Sequence, residues 1–224
     1  VCNGSNGSNG NDGADGADGN DGAPGSNGSN GTDGTGLTAT QQAELDSWSA
    51  ISPYLSLISN NEPGGRTIKF SGVNVQVVNG TGSTDGETNG FGNLIIGYQE
   101  LRERGGNRRE GSHNLVVGRW NNYTSHSGLA VGWSNSILNE YCFVTGVSNE
   151  ASGLSSMVSG GAQNYATSGN GAVIGGYRNH STGQHAVITG GINNRANARY
   201  SFVGGGSANT TAADLSAIVG GEAH

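Results

Sequence analysis

Asparagine recurs at a fixed interval through the second half of this chain, each time after a short apolar segment that ends in glycine. The interval from one asparagine to the next is 14 twice and then 15 four times. Self-similarity at a fixed short period is typical of a solenoid, in which each repeat forms one coil that stacks on the next. The repeated asparagines are Asn121, Asn135, Asn149, Asn164, Asn179, Asn194 and Asn209.

Each repeat contains one short apolar strand, as in "NLVVG", "AVITGG" and "SFVGGG". Strands stacked about 4.8 Å apart bring equivalent side chains into one column. Glycine allows tight corners, and asparagine tolerates the left-handed region and bonds to nearby backbone, so we expect a ladder of stacked asparagines. The sequence therefore predicts an all-β, parallel β-roll or β-solenoid of 14–15-residue repeats over residues 111–224. The predicted apolar column is Val116, Ala130, Val144, Val158, Ile174, Ile188, Val203 and Val219.

Glycine also occupies every third position near the start of the chain, over eleven unbroken triplets. Strict Gly-X-Y periodicity is the requirement of a collagen triple helix, because only glycine fits at its crowded axis. We therefore predict a collagen-like stalk over residues 1–36. A flexible linker and a calcium-binding Asp-Gly array are the alternatives, since Pro24 is the stalk's one proline. The glycines are Gly4, Gly7, Gly10, Gly13, Gly16, Gly19, Gly22, Gly25, Gly28, Gly31 and Gly34.

After the glycine triplets the period changes to that of a helix. Apolar residues recur at spacings of three and four between Leu45 and Ile58, which is one helical stripe. Thr38 and Gln41 have the spacing of a capping box. The sequence predicts a helical neck over residues 37–62, followed by a transition of strand and loop over residues 63–110.

The solenoid and the neck each lack a thick core of their own. Hydrophobic residues make up only 32% of the chain, whereas soluble domains average about 45–50%. A thin roll buries its remaining apolar side against identical neighbours, a single helical stripe needs a partner, and a collagen helix needs three chains. We therefore predict a homotrimer. For the neck helix, a local cap on the β-roll is the alternative.

The repeats resemble the head repeats of trimeric autotransporter adhesins. The likeness covers about residues 111–221 and rests on the aliphatic rung and the recurring G-x-x-N/S-x-A-x-G motif in "VSNEASGLSSMVSGGAQNYATSG". It implies a left-handed, trimeric and non-enzymatic β-roll, displayed at a bacterial surface and binding host matrix or other host surfaces. The chain departs from those adhesins in its collagen-like stalk, a plan that resembles collagen-like fibre proteins of bacteria and phages.

One insertion interrupts the repeats, because Gly97 and Gly118 are separated by one coil plus seven further positions. The insertion contains "QELRERGGNRREG". We expect an inter-subunit salt-bridge network or a solvated loop. Because loops on rigid scaffolds often carry recognition, the alternative is a contact loop for an acidic glycan or for another fibre's acidic stalk, which would give end-to-end filaments. The arginines concerned are Arg102, Arg104, Arg108 and Arg109.

Few residues suggest chemistry. The five histidines lack the spacing of a metal site, and no nucleophile or phosphate-loop motif occurs, so we expect no enzyme activity, metal or cofactor. Cys2 precedes the glycine triplets, where it can cross-link chains of a trimer, whereas Cys142 adjoins an apolar strand and is expected to be a buried thiol.

The charge distribution also excludes some partners. The segment before Arg66 holds eight acidic and no basic side chains, which argues against nucleic-acid binding. No apolar run reaches the roughly 18 residues of a membrane span. We predict a secreted, cell-surface subunit of a structural or adhesive fibre. A carbohydrate-binding module, a phage tail-fibre segment and a polysaccharide-degrading solenoid enzyme are the alternatives.

Overall fold

The computed structural model describes residues 7–17, 19–20, 22–23, 25–26, 36–59, 65–103 and 105–223. They belong to two compact units, Val1–Val73 and Asn74–His224. The described residues are mostly β, with a single α-helix and a parallel β-solenoid of about seven coils. The prediction of a β-solenoid is therefore confirmed.

The first unit contains helix α1 (Ala39–Ile51), which begins at the predicted capping box. The Thr38 hydroxyl accepts a hydrogen bond from the Gln41 N–H at 3.2 Å. In return, the Thr38 N–H donates to Gln41 Oε1 at 2.9 Å. These two bonds satisfy N–H groups that have no partner inside the helix.

The helix ends earlier than predicted. A 3₁₀ turn, Ser52–Tyr54, follows it, and the chain then forms β1 (Leu55–Ser59), paired antiparallel with β2 (Arg66–Phe70). Leu55 and Ile58, predicted on the helical stripe, therefore lie in a strand. Pro53 explains the change, because it lacks the N–H that a continuing helix would need and its ring clashes with the preceding turn.

None of the described residues of this first unit is buried. In α1, Leu45, Trp48 and Ile51 are each about half exposed or more. In the hairpin, Leu57 lies opposite Ile68 on one face, and both are also exposed. The unit thus presents apolar side chains without a core of its own.

The second unit is built from two parallel sheets, with the chain alternating between them. Sheet A has nine strands: β3 (Leu94–Ile96), β4 (Leu115–Arg119), β6 (Leu129–Trp133), β8 (Phe143–Val147), β10 (Met157–Val158), β12 (Ala172–Val173), β14 (Val187–Ile188), β16 (Phe202–Val203) and β18 (Ala217–Ile218). Sheet B has seven: β5 (Asn122–Tyr123), β7 (Ser136–Ile137), β9 (Glu150–Ala151), β11 (Tyr165–Ala166), β13 (His180–Ser181), β15 (Arg195–Ala196) and β17 (Thr210–Thr211).

The core lies between the two sheets, and sheet A contributes its aliphatic column. Val144 pairs with Val158, and Val158 with Val173. Each fully buried side chain of this size contributes on the order of 1.5–3 kcal/mol. The inward column is Val116, Ala130, Val144, Val158, Val173, Ile188 and Val203, each at most 3% exposed.

Two members of the predicted column were wrong by one residue. Ile174 is 42% exposed and Val219 is 84% exposed, because the register places Val173 and Ile218 on the inner side. A shift of one residue moves a strand side chain to the opposite face. Counting back from Asn179 by the same interval that separates Val158 from Asn164 would have selected Val173.

Sheet B was not predicted, although its inward column follows the asparagines closely. Its inner side chains each lie two residues after a ladder asparagine. Ala151, Ala166 and Ala196 are completely buried. Small residues fit there because a coil of this length brings the two sheets close together. The column is Tyr123, Ile137, Ala151, Ala166, Ser181, Ala196 and Thr211.

Glycine takes a positive φ at the corners, as expected, for example at Gly161 (φ 72°) and Gly176 (φ 87°). The ladder asparagines do not, because the residue before each of them takes the left-handed backbone, as at Ser148 (φ 54°) and Gln163 (φ 56°). Glycine is also needed where coils approach closely. A Cβ on Gly161 would lie 2.0 Å from the Gly176 carbonyl oxygen.

Candidate functional site

The seven asparagines form a continuous hydrogen-bonded ladder inside the solenoid. Asn164 Oδ1 accepts a bond from the Asn179 N–H at 2.9 Å. Asn164 Nδ2 donates to the carbonyl oxygens of Gly160 at 3.1 Å and Gly176 at 3.0 Å. The six Oδ1 links between successive asparagines measure 2.8–3.0 Å.

The ladder is a structural element and leaves little for a ligand. Each amide bonds to the backbone of its own coil and of the next, so the link runs from side chain to backbone rather than between stacked amides. The ladder asparagines are at most 3% exposed. Because buried polar groups are costly unless bonded, these contacts hold neighbouring coils in register.

The insertion lies along the first strand of sheet B. The Arg108 carbonyl oxygen accepts a bond from the Tyr123 N–H at 2.8 Å. Asn122 Oδ1 accepts from the Arg108 N–H at 3.1 Å, and Asn122 Nδ2 donates to the Gly106 carbonyl at 2.9 Å. The insertion therefore covers an edge whose backbone groups would otherwise be open, as terminal caps do in repeat proteins.

Two of the four arginines of the predicted contact loop donate side-chain hydrogen bonds to backbone carbonyl oxygens. Arg102 donates from Nε to the Trp120 carbonyl at 2.8 Å, and from Nη2 to the Ser134 and Asn135 carbonyls at 3.0 Å each. Arg109 donates to the carbonyls of two residues within the insertion. Burial, followed by the charge of Arg109, lowers the pKa of Arg102 from its usual value. These two side chains fix the insertion.

The other two arginines differ from this pair. The Arg108 side chain is exposed, and no ion pair joins it to a described residue. Arg104 lies outside the described residues, as do Cys2 and the glycines Gly4, Gly28, Gly31 and Gly34.

Replacing Arg102 with lysine is expected to destabilise the insertion by about 2 kcal/mol. Lysine keeps the charge but lacks the planar fork that reaches carbonyls in two coils at once. The amides of residues 97–103 and 105–111 should exchange hydrogen faster. Arg108→Lys is the matched control, and hydrogen exchange indistinguishable between the two variants would show that the fork does not hold the insertion.

A cleft opens between the insertion and Trp120, whose indole ring also pairs with that of Trp133. The centroids of Trp120 and Trp133 are 5.3 Å apart and their planes are tilted by 37°. Arg119 Cζ lies 4.1 Å from the Trp120 ring centroid, and Arg119 Nε lies 3.9 Å from Glu100 Oε1. The cleft has a volume of about 220 Å³ and is lined by Arg102, Glu103, Gly105, Trp120 and Ser134.

Sheet A is apolar on its outward face as well as its inward one. The sequence analysis expected such a remaining apolar side but did not assign residues to it. Residues that alternate with the buried column are aliphatic or aromatic in most coils, and none is charged. Ile174 is 42% and Phe202 37% exposed. One outward row, aligned by the strand register, is Leu94, Leu115, Leu129, Phe143, Met157, Ala172, Val187, Phe202 and Ala217. A second row is Ile96, Val117, Val131, Thr145, Ser159, Ile174, Thr189, Gly204 and Val219.

Sheet B presents a polar outward face instead. Its outward row includes Tyr165 and His180, whose ring centroids are 4.7 Å apart. Burial, followed by the charge of Arg195, lowers the pKa of His180. The two sheets of the solenoid therefore differ in the surface that they offer to a partner. The row is Asn122, Ser136, Glu150, Tyr165, His180, Arg195 and Thr210.

The remaining candidate groups serve local structure. Cys142 is a buried free thiol whose pKa is raised by burial, as expected, and its Sγ lies 3.2 Å from the Gly153 carbonyl. His126 is buried, with Nε2 3.7 Å from Glu140 Oε1 and Nδ1 3.9 Å from Asp85 Oδ1. Across the described ranges, no three histidine, cysteine or acidic side chains cluster to hold a metal. No helix in those ranges is long and apolar enough to cross a membrane.

The described stalk glycines are exposed and lie outside helices and strands. A Cβ added at Gly7 or Gly25, for example, would meet no atom within 4 Å. The contacts of a single chain therefore give no steric reason for glycine at these positions. The described stalk glycines are Gly7, Gly10, Gly13, Gly16, Gly19, Gly22 and Gly25.

Comparison with known proteins gives no relative for this chain. No family model, no curated protein and no solved structure matches it.

Proposed function

We propose that the chain is a non-enzymatic subunit of a homotrimeric extracellular fibre, with a collagen-like stalk, a helical neck and a left-handed solenoid head that adheres to other surfaces. The solenoid supplies stiffness, the stalk supplies reach, and three copies supply avidity. A bacterial surface is the proposed location, in keeping with the resemblance of the repeats to autotransporter adhesin heads.

The outward face of sheet A is the observation that carries this proposal. Parallel sheets normally have both faces covered, because each strand is apolar on both sides. Here nine strands at about 4.8 Å spacing give a row about 40 Å long, and the chain itself leaves it uncovered. Exposed apolar patches of that extent mark interfaces. Two further copies, arranged about an axis, would cover the face.

The stalk and the first unit support the same arrangement. The helix and hairpin of this unit present Trp48, Ile68 and Phe70, each more than half exposed, and the unit buries none of its described residues. Glycine at every third stalk position lacks a steric reason within one chain. A triple helix would supply one, since only glycine fits where three chains meet.

The native mass of the purified chain tests the proposal. Sedimentation equilibrium should give three times the 22.5 kDa of one chain, over a wide range of dilution. Because order in the first unit and cover for sheet A both depend on neighbours, dissociation should accompany unfolding. A well-folded monomer would refute the fibre.

A further inference from the structure

We propose that an arginine-rich surface on the outward side of sheet B binds the acidic stalk of another copy of this chain, so that fibres join head to stalk. The inference goes beyond the proposed function and rests on it in one respect, since it takes the stalk to project from the fibre. Sheet B carries basic side chains that no acidic side chain neutralises, and the chain's net negative charge lies in the segment before Arg66.

The surface lies in a part of the solenoid whose sequence has no acidic residue. Between Glu150 and Asp214 there are three arginines and two histidines but no aspartate or glutamate. All five basic residues occur in two neighbouring coils, on strands β13 and β15 or at the corners that flank them. His180 and Arg195 are paired in the parallel register of sheet B, one coil spacing of about 4.8 Å apart. We call this surface the basic patch: Arg178, His180, His185, Arg195 and Arg199.

The arginines of the basic patch keep their charge for a partner. All three are exposed, and no ion pair joins them to a described residue. Arg178 Nε donates to Gln163 Oε1 at 2.8 Å, and Arg199 Nη2 donates to the Tyr200 hydroxyl at 2.9 Å. Because both acceptors are neutral, these bonds orient the guanidinium groups without cancelling their charge.

Two of these arginines also lie against tyrosine rings. Arg178 Cζ is 4.9 Å from the Tyr177 ring centroid, and Arg199 Cζ is 4.6 Å from that of Tyr200. Asp214, on the next coil, accepts a hydrogen bond from the Arg199 backbone N–H at 3.0 Å but forms no ion pair with its guanidinium. Side chains that are already ordered lose less conformational entropy on binding.

The two histidines of the basic patch stack on tyrosines of the coils before and after their own. The ring centroids of His180 and Tyr165 are 4.7 Å apart, and those of His185 and Tyr200 are 4.8 Å apart. Because burial, followed by the charge of Arg195, lowers the pKa of His180, this imidazole is neutral at pH 7. The positive charge of the patch near neutral pH therefore comes mainly from its three arginines.

The stalk has a charge and a spacing that fit the basic patch. The segment before Arg66 holds eight acidic and no basic side chains. Four of its aspartates recur at every third position, about 9 Å apart along an extended collagen-type chain. Arg195 and Arg199 are four positions apart, which is at most about 14 Å. Each guanidinium can donate two parallel N–H bonds to a carboxylate, so two patch arginines suit two successive stalk aspartates. The four are Asp12, Asp15, Asp18 and Asp21.

The basic patch stays available when sheet A is covered. The core lies between the two sheets, so their outward faces point to opposite sides of the solenoid. A trimer closed through sheet A would therefore carry three patches, which raises the avidity of weak single contacts. The insertion suits the stalk less well, because Arg102 and Arg109 donate to backbone carbonyls and Glu100, Glu103 and Glu110 lie among its arginines.

Sedimentation velocity of the full-length protein at low and high salt tests the inference. Exposed ion pairs are weak and screened, so trimers should stay separate at ordinary ionic strength and form larger species at low salt. The combined substitutions Arg178→Gln, Arg195→Gln and Arg199→Gln should lower the association constant between trimers at least tenfold. The trimer itself should persist, since these side chains lie on sheet B and its corners.

The control removes three other exposed positive charges, by Arg66→Gln, Lys69→Gln and Arg108→Gln, and should leave the low-salt association unchanged. Equal association of the patch variant and this control would overturn the inference, as would the absence of any species larger than the trimer at low salt. The native mass separates the two proposals. A trimer that associates no further keeps the fibre and removes the stalk contact, whereas salt-sensitive association of monomers through patch and stalk does the reverse.

A stalk variant identifies the partner of the basic patch. Asp12→Asn, Asp15→Asn, Asp18→Asn and Asp21→Asn together should also lower the association constant at least tenfold. Mixing this variant with the patch variant should restore association, because one supplies intact patches and the other intact stalks. A stalk variant that associates as strongly as the wild type, or a mixture that stays dissociated, would show that the patch does not bind the stalk.

Discussion

Replacing Asn164 with alanine is expected to lower the free energy of unfolding of the solenoid by about 3–5 kcal/mol. The side chain lies at the middle of the ladder and is completely buried. Alanine removes its three hydrogen bonds and leaves the buried Asn179 N–H without its acceptor. An unsatisfied buried donor costs its full desolvation penalty, which is larger than the net value of the bond.

Urea unfolding at one fixed protomer concentration measures this loss, because the stability of an oligomer depends on concentration. Asn197→Ala is the matched control, since that exposed side chain accepts one hydrogen bond, from the Thr182 hydroxyl at 2.9 Å. The control should cost under about 1 kcal/mol. Equal losses in the two variants would mean that the ladder contributes nothing special to stability.

Asn164→Asp nearly preserves the shape of the side chain and keeps its hydrogen-bond acceptor, but it removes the two N–H donors of the amide. The carboxylate still accepts from the Asn179 N–H, but it faces the carbonyl oxygens of Gly160 and Gly176. Burial and these oxygens should raise the pKa of the introduced carboxyl above its usual value of about 3.9. The raised pKa favours the protonated form in the folded state. The variant should therefore be least stable above that pKa and regain stability as the pH falls through it.

The repeat made the solenoid predictable because one residue type marks every coil. Each 14- or 15-residue repeat contains one such asparagine, so successive coils can be aligned on it. The residue six positions before the asparagine lies on the inner side of sheet A, as Val158 and Val173 show. Ile174 lies five positions before Asn179, whereas Val158 lies six positions before Asn164, so counting from the asparagine corrects the assignment to Val173. The ladder is the better reference because its hydrogen bonds set the register.

Sheet B, the outward face of sheet A and the role of Arg102 leave little or no local signal in the sequence. Strands of two residues, such as Tyr165–Ala166, are too short to show periodicity. The signal that sheet B leaves is a small residue two positions after five of the seven asparagines. A remaining apolar side was expected but not assigned to residues, although Leu129 and Val131 alternate with Ala130 in the sequence. The role of Arg102 depends on carbonyls in two coils that come later in the chain, which no local pattern reveals.

Replacing Ile174 with aspartate is expected to dissociate the proposed trimer, raising its dissociation constant at least 10³-fold. Ile174 is 42% exposed in the isolated chain, so the substitution removes no fully buried contact within one chain. Between subunits, the same position would place an uncompensated carboxylate in an apolar contact, at a cost of about 3–5 kcal/mol per charge. Three copies near one axis would also repel each other.

Light scattering over a dilution series measures the mass, and Thr167→Asp is the control. Thr167 is exposed next to Ala166 of sheet B, so a charge there should leave the oligomer unchanged. If the Ile174 variant kept the wild-type mass at every dilution, sheet A would not be the subunit interface. Loss of association in both variants would point instead to a general effect of added charge.

A complementary charge distinguishes a broken interface from a misfolded chain. Ile174→Lys should dissociate the trimer for the same reason as Ile174→Asp, since either charge is unpaired when all copies match. Mixing the two variants pairs opposite charges across the contact, which recovers part of the lost free energy. Mixed oligomers should therefore form where neither variant associates alone, and do so less readily at high salt. A misfolded chain cannot be rescued in this way, so recovery on mixing would place Ile174 of one chain beside Ile174 of another.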